Sequence, residues 1–165
     1  AEAEALGDSM LAALETEEPE ARIAALGEVA PGSAGGTALL ALLTAAEQAS
    51  AEQEAAAAET LAAIAANGEV PQIYRDIAAF RMLLLQSDSR EASERRTSFE
   101  ALARAGSPLR LLAEEQIALI EVETGDTEAA IARFQSILAD AEVTAGLRQR
   151  VSQVIVALGG ELDAA

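Results

Sequence analysis

Any chemistry in this chain falls to carboxylates and guanidinium groups. Its 165 residues contain no histidine or cysteine, and every one of its 11 basic side chains is an arginine. Without histidine, cysteine or lysine the usual nucleophile–base pairs cannot be assembled. Carboxylate pairs remain, since 28 residues are acidic. A glycosidase needs two of them converging across a cleft, and a sugar site normally wants aromatic platforms, which are scarce at 2% aromatic content. The densest acidic run, Glu15-Thr16-Glu17-Glu18-Pro19-Glu20, is better read as a solvated helix junction with acids near the positive end of the next helix. No catalytic residue is expected.

Metals and phosphates fare no better. Zinc and copper sites usually require histidine or cysteine. Glu121, Glu123 and Asp126 cluster around a turn with oxygen ligands for a hard cation, but the calcium-loop pattern of alternating Asp/Asn, central glycine and terminal glutamate is missing. Gly32-Ser33-Ala34-Gly35-Gly36-Thr37 precedes a helical segment, yet a phosphate loop needs Gly-Lys-Ser/Thr. It is expected to be a turn between repeats. Arg90, Arg95 and Arg96 lie beside Glu91 and Glu94 and read as a solvated, self-paired helix surface. Tyr74, Phe80, Phe99 and Phe134 read as packing residues, with the Tyr74 hydroxyl at the surface. No metal or cofactor is expected.

The net charge is −17 and unevenly spread. Residues 1–74 hold 13 acids and the single base Arg22, a net of −12, whereas residues 75–165 hold 15 acids and 10 arginines, a net of −5. Such a surface repels phosphate backbones and anionic headgroups, which argues against nucleic acid and against direct lipid binding by this domain. No apolar run reaches the ~18 residues of a membrane span. The chain opens at Ala1-Glu2-Ala3-Glu4 without methionine, and we expect it to be the soluble part of a longer protein with a targeting or membrane segment ahead of it.

Helices must supply the framework. Apolar residues make up 51% of the chain, and alanine, the best helix former, dominates them. Breakers at Pro19, 31–36, Gly68 with Pro71, 87–89, 106–108, Gly125-Asp126 and Gly159-Gly160 predict nine helices, at about 1–15, 19–29, 37–49, 51–66, 72–86, 91–105, 108–123, 127–141 and 144–158. Ser50 with Gln53 has the capping-box pattern. Ser107-Pro108 offers a cap followed by proline at the first helical position, and Asp126 and Thr144 are further caps. Ile131, Phe134, Ile137 and Leu138 share one helical face, as do Leu147, Val151, Val154, Ile155 and Leu158. Pro71 and Pro108 are 37 residues apart, Thr144 follows Pro108 by 36, and Gly35 precedes Pro71 by 36. A period in the middle thirties with two helices per unit marks a helical repeat array. The units expected are about 1–33, 34–70, 71–107 and 108–143, within one domain closed by a capping helix at 144–158.

The unit Leu109–Glu142 resembles a tetratricopeptide repeat. Gly125 to Phe134 matches the repeat's turn and second helix, with Ala130 and Phe134 at its small and aromatic positions and Ala118 at the small position of its first helix. Glu114 and Glu121 stand where the repeat carries tryptophan and tyrosine, and no proline closes the unit. The chain as a whole resembles the tetratricopeptide-like soluble domain of YfgM-type proteins, the ancillary subunits of the SecYEG translocon. Pro71 to Arg81 and Ser107 to Glu115 carry that likeness, and Gly146–Arg150 through Leu158-Gly159-Gly160 looks like its alphaproteobacterial branch. The resemblance implies an all-α, right-handed stack of antiparallel helix pairs on the periplasmic side of the bacterial inner membrane, tethered by a transmembrane helix upstream of Ala1. It also implies partners at the Sec translocon and among periplasmic chaperones of the peptidyl-prolyl isomerase type. The alternative is a freestanding tetratricopeptide scaffold for outer-membrane assembly or cell division. In such arrays the first helix of each pair lines the concave face. The repeat's register then places Leu112, Glu115, Leu119, Val122 and Glu123 on the partner-binding groove. Self-association through small residues such as Ala55–Ala58 stays open.

Overall fold

The computed structural model describes residues 2–162, which form nine α-helices and, among those residues, no strand. Contacts divide the chain into two compact units that meet at Asp88 and Ser89, a point inside the expected repeat 71–107.

The amino-terminal unit holds α1 (Glu2–Leu14), α2 (Pro19–Gly27), α3 (Ala34–Ser50), α4 (Glu54–Ala66) and α5 (Gln72–Leu85). Each helix packs on the next, and α3 also touches both α1 and α5. Alanines at closest approach, Ala38, Ala57 and Ala78, are fully buried; their small side chains let Leu42, Leu61, Ile64 and Val70 close around them in one cluster. A smaller cluster of Ala13, Leu26 and Leu40 joins α1, α2 and α3. Tyr74 is half-buried against the larger cluster. Arg22 staples the acidic junction after α1 to α3: its Nε donates to Glu47 at 2.6 Å, while Nη1 donates to the Thr16 and Glu17 carbonyls.

The carboxy-terminal unit holds α6 (Ala92–Leu102), α7 (Arg110–Glu123), α8 (Thr127–Ala139) and α9 (Ala145–Ala157), packed in sequence order. Ala118, Ala130, Phe134, Val151 and Ile155 are fully buried and pack in one cluster with Ile137 and Leu147. The pairs run antiparallel. Arg110 at the start of α7 reaches Asp140 at the end of α8, and Glu123 at the end of α7 meets Arg95 near the start of α6.

The turn between α7 and α8 is the tightest in the unit. Gly125 has φ +85°, the left-handed conformation that ends a helix. The Gly125 and Asp126 amides donate to the Val122 and Glu121 carbonyls, and the Asp126 carboxylate then accepts from the Ala129 amide to begin α8. Gly159 and Gly160 end α9 by the same bond pattern, and Thr144 caps its start through the Leu147 amide.

Three junctions differ from their sequence expectations. Ser50 and Gln53 do not make a capping box: Ser50 is the last residue of α3, and Gln53 precedes α4 without a side-chain cap bond. Instead Glu52 takes the left-handed position, φ 60°, and the Gln53 amide closes back on the Gln48 carbonyl. The same residues that could start a helix are used to stop one. The expected turn 32–37 is shorter than expected, because Ser33 accepts from the Gly36 amide and α3 begins at Ala34. Gly36 is required there, since a Cβ would collide with the Pro31 carbonyl and sit 3.0 Å from Leu6 Cδ2. Ser107 accepts from the Leu109 amide and its carbonyl from the Arg110 amide, so a tight turn containing Pro108 precedes α7.

Candidate functional site

The residues expected on the groove, Leu112, Glu115, Leu119, Val122 and Glu123, follow one another along one face of α7, as their spacing requires. Their side chains go to different tasks. Glu115 is only 9% exposed and receives Arg150 of α9 in a bidentate pair, Nε at 3.0 Å and Nη2 at 2.9 Å. Those hydrogen bonds raise the Arg150 pKa above its ordinary value. Glu123 receives Arg95 of α6 on both oxygens, at 2.6 and 2.7 Å. Val122 packs against the α8–α9 cluster. Leu112 borders a cleft of about 450 Å³ shared with Pro108, Thr144 and Leu147. Leu119 stands between the two ion pairs in sequence and is 39% exposed. The face is therefore an apolar strip whose two carboxylates are already neutralised by arginines of the flanking helices.

Arg95 overturns the expected self-paired surface. It is 6% exposed, donates through Nε to the Arg90 carbonyl at 3.0 Å, and crosses to α7. Arg96 pairs with Glu100 on its own helix and also reaches Glu121 of α7 at 3.2 Å. Arg90, just ahead of α6, pairs with Glu94 in its first turn at 3.5 Å. Only part of this arginine group stays on its own helix; the rest ties α6 to α7.

On the reverse side of α7, Glu114 and Glu121 share one guanidinium. Arg133 of α8 donates to Glu121 through Nε at 3.1 and 3.2 Å and through Nη2 at 2.9 Å, and to Glu114 through Nη1 at 2.5 Å. Glu121 is 2% exposed. The Glu121 hydrogen bonds, opposed by burial and reinforced by Glu114, hold the Arg133 guanidinium well above its ordinary pKa. Two carboxylates and one planar guanidinium thus meet between α7 and α8. At the end of the helix pair, Arg110 donates to Asp140 at 2.9 and 3.1 Å and to Glu142 at 2.6 Å. The Arg110 hydrogen bonds, helped by the Glu142 amide, hold the Asp140 carboxyl below the usual carboxylate value, and Arg110 is raised in turn.

Glu121, Glu123 and Asp126 do not converge on a common point: the first serves Arg133 and Arg96, the second Arg95, and the third caps α8. Sequence reading missed the ion-pair lacing because it joins residues 12 to 35 positions apart. One signal did bear on it: every cation is arginine, the side chain suited to bidentate carboxylate pairing.

No protein-family model matches this chain, and no curated protein or solved structure matches it either.

Proposed function

We propose that the chain is a non-catalytic protein-interaction module of tetratricopeptide-like design, which binds its partner along the α7 strip centred on Leu119. The observation that carries this reading is the exposure of Leu119 between two neutralised carboxylates. An apolar side chain held open on a rigid helix, rimmed by satisfied polar groups, has the make-up of a small docking surface. Contacts of α3 with α1 and α5, and the Glu115–Arg150 link from α7 to α9, support first-helix-to-first-helix stacking of the tetratricopeptide kind. Burial of Ala118, Ala130 and Phe134 at the repeat's small and aromatic positions supports it further. The module is a YfgM-type domain on the periplasmic side of the inner membrane. Its partners are the Sec translocon and a periplasmic isomerase-type chaperone.

The strip is tested by crosslinking the full-length protein in membranes with a photoreactive side chain at position 119, beside a Leu119→Glu variant. Translocon or chaperone adducts that vanish in the variant are expected. Adducts to neither sink the partner assignment, and adducts that survive Leu119→Glu sink the strip. The gene upstream of Ala1 should encode an apolar run of ~20 residues with arginine or lysine on its N-terminal side. A cytosolic start without one overturns the envelope reading.

A further inference from the structure

The amino-terminal unit has a groove that the α7 strip does not involve. Leu6 of α1, Pro31, Gly35, Gly36 and Leu39 of the α3 region, and Tyr74 of α5 line a cleft of about 610 Å³. Leu39 is 41% exposed in it. The size falls within the range of pockets that bind small ligands or short side-chain clusters, roughly 300–1,000 Å³.

Gly35 is the informative residue. Its neighbour Gly36 is dictated by the fold, because any Cβ there meets the Pro31 carbonyl. Gly35 is not so constrained: a Cβ would lie 3.9 Å from Ser33 Oγ and from Tyr74 Cε2, ordinary contact distances. Alanine would therefore fit and would favour the helix more than glycine does. The missing side chain leaves bare backbone at the floor of the groove, where another chain can come close.

Charge selects the occupant. Residues 1–88 contain 15 acids and three arginines, a net of −12. None of those arginines lines the groove, whereas Glu2 does. Arg22 is held by Glu47 and two carbonyls, Arg75 by Gln72, and Arg81 by the Leu42 carbonyl. The field over this unit is therefore negative, which draws in cations and rejects acidic segments. At the start of α3, Ser33 already accepts the Gly36 amide, so one of the donors an anion would use is taken. We infer that the groove formed by α1, α3 and Tyr74 is a docking site for an apolar peptide segment flanked by lysine or arginine.

Tyr74 is the only tyrosine, and the chain has no tryptophan, so its emission reports directly on the groove. Four synthetic 12-residue peptides serve as probes: a leucine-rich core flanked by arginines, the same core flanked by glutamates, the same core flanked by glutamines, and arginines with a Gly/Ser core. The arginine–leucine peptide is expected to bind, to change Tyr74 emission, and to weaken by about tenfold or more between low salt and physiological salt. Gly35→Leu, which fills the floor, should weaken it by about tenfold with helicity unchanged, and Leu39→Glu should do so in a second way. Leu119→Glu should leave it unaltered, which separates this site from the α7 strip. Binding of the Gly/Ser peptide as tight as that of the leucine peptide overturns the groove in favour of bulk charge attraction. Equal binding of the glutamate or glutamine peptide, no binding at all, or full binding to both groove variants overturns it as well.

Discussion

The two units bury their helices by different means. In the amino-terminal unit the contacts between α3, α4 and α5 are mainly alanine against leucine and isoleucine, with two polar links to α3, Thr60 to Gln48 and Arg81 to the Leu42 carbonyl, while Arg22 fastens a loop down. In the carboxy-terminal unit the apolar cluster around Phe134 is flanked on both sides of α7 by arginine–carboxylate pairs that reach α6, α8 and α9. Apolar packing is non-directional and tolerates small shifts of one helix over another. Bidentate pairs fix both angle and register. The first unit is therefore held mainly by volume, the second also by geometry.

Four experiments can break or sharpen that contrast. Leu61→Ala leaves a cavity where α4 meets its neighbours, and should cost about 4 kcal/mol. Hydrogen exchange should show lost protection in α3, α4 and α5; an equal loss in α7 and α8 contradicts the separation. Arg133→Met strands the Glu121 carboxylate without its main partner and should cost about 3 kcal/mol in urea unfolding. Adding Glu114→Leu and Glu121→Phe to it should recover most of that loss. If the triple variant is no better than the single one, the ion pairs contribute more than position.

Glu52→Gly relieves the left-handed non-glycine turn between α3 and α4 and should stabilise the chain by about 1 kcal/mol in thermal melts. A destabilised variant would mean that the Glu52 side chain has a role of its own. The smallest effect is acidic. Asp140 has a depressed pKa in the folded chain, so its contribution is present above its ordinary value of 3.8 and is lost as pH falls from there through the folded value. Asp140→Asn should flatten that part of the stability–pH curve and leave the neutral range nearly as it was.

Helices, their order and two of their caps were legible in the sequence, because Asp126 and Thr144 act on amides three residues away. Phe134 and Ile137 were legible as core for the same local reason, the period of the helix. The α3–α4 turn was not, since nothing in Ser50-Ala51-Glu52-Gln53 announces that a glutamate will adopt positive φ. On α7 the register of the resembled repeat grouped five residues as a groove face. It could not tell that Glu115 and Glu123 would be occupied by Arg150 and Arg95, which lie 35 and 28 residues away. Charge pairs between helices depend on the packed geometry, whereas caps depend on the next turn of chain.

The Gly125-Asp126 turn also sets what the gene can tolerate. Asp126 completes the end of α7 with its amide and starts α8 with its carboxylate, so only Thr124, Gly125 and Asp126 separate the two helices. A single codon inserted or deleted between Thr124 and Thr127 would rotate α8 by about 100° and turn Phe134 out of its cluster and Arg133 away from Glu121. A side chain along this pair can be exchanged for one of similar shape at far lower cost than the turn can change in length.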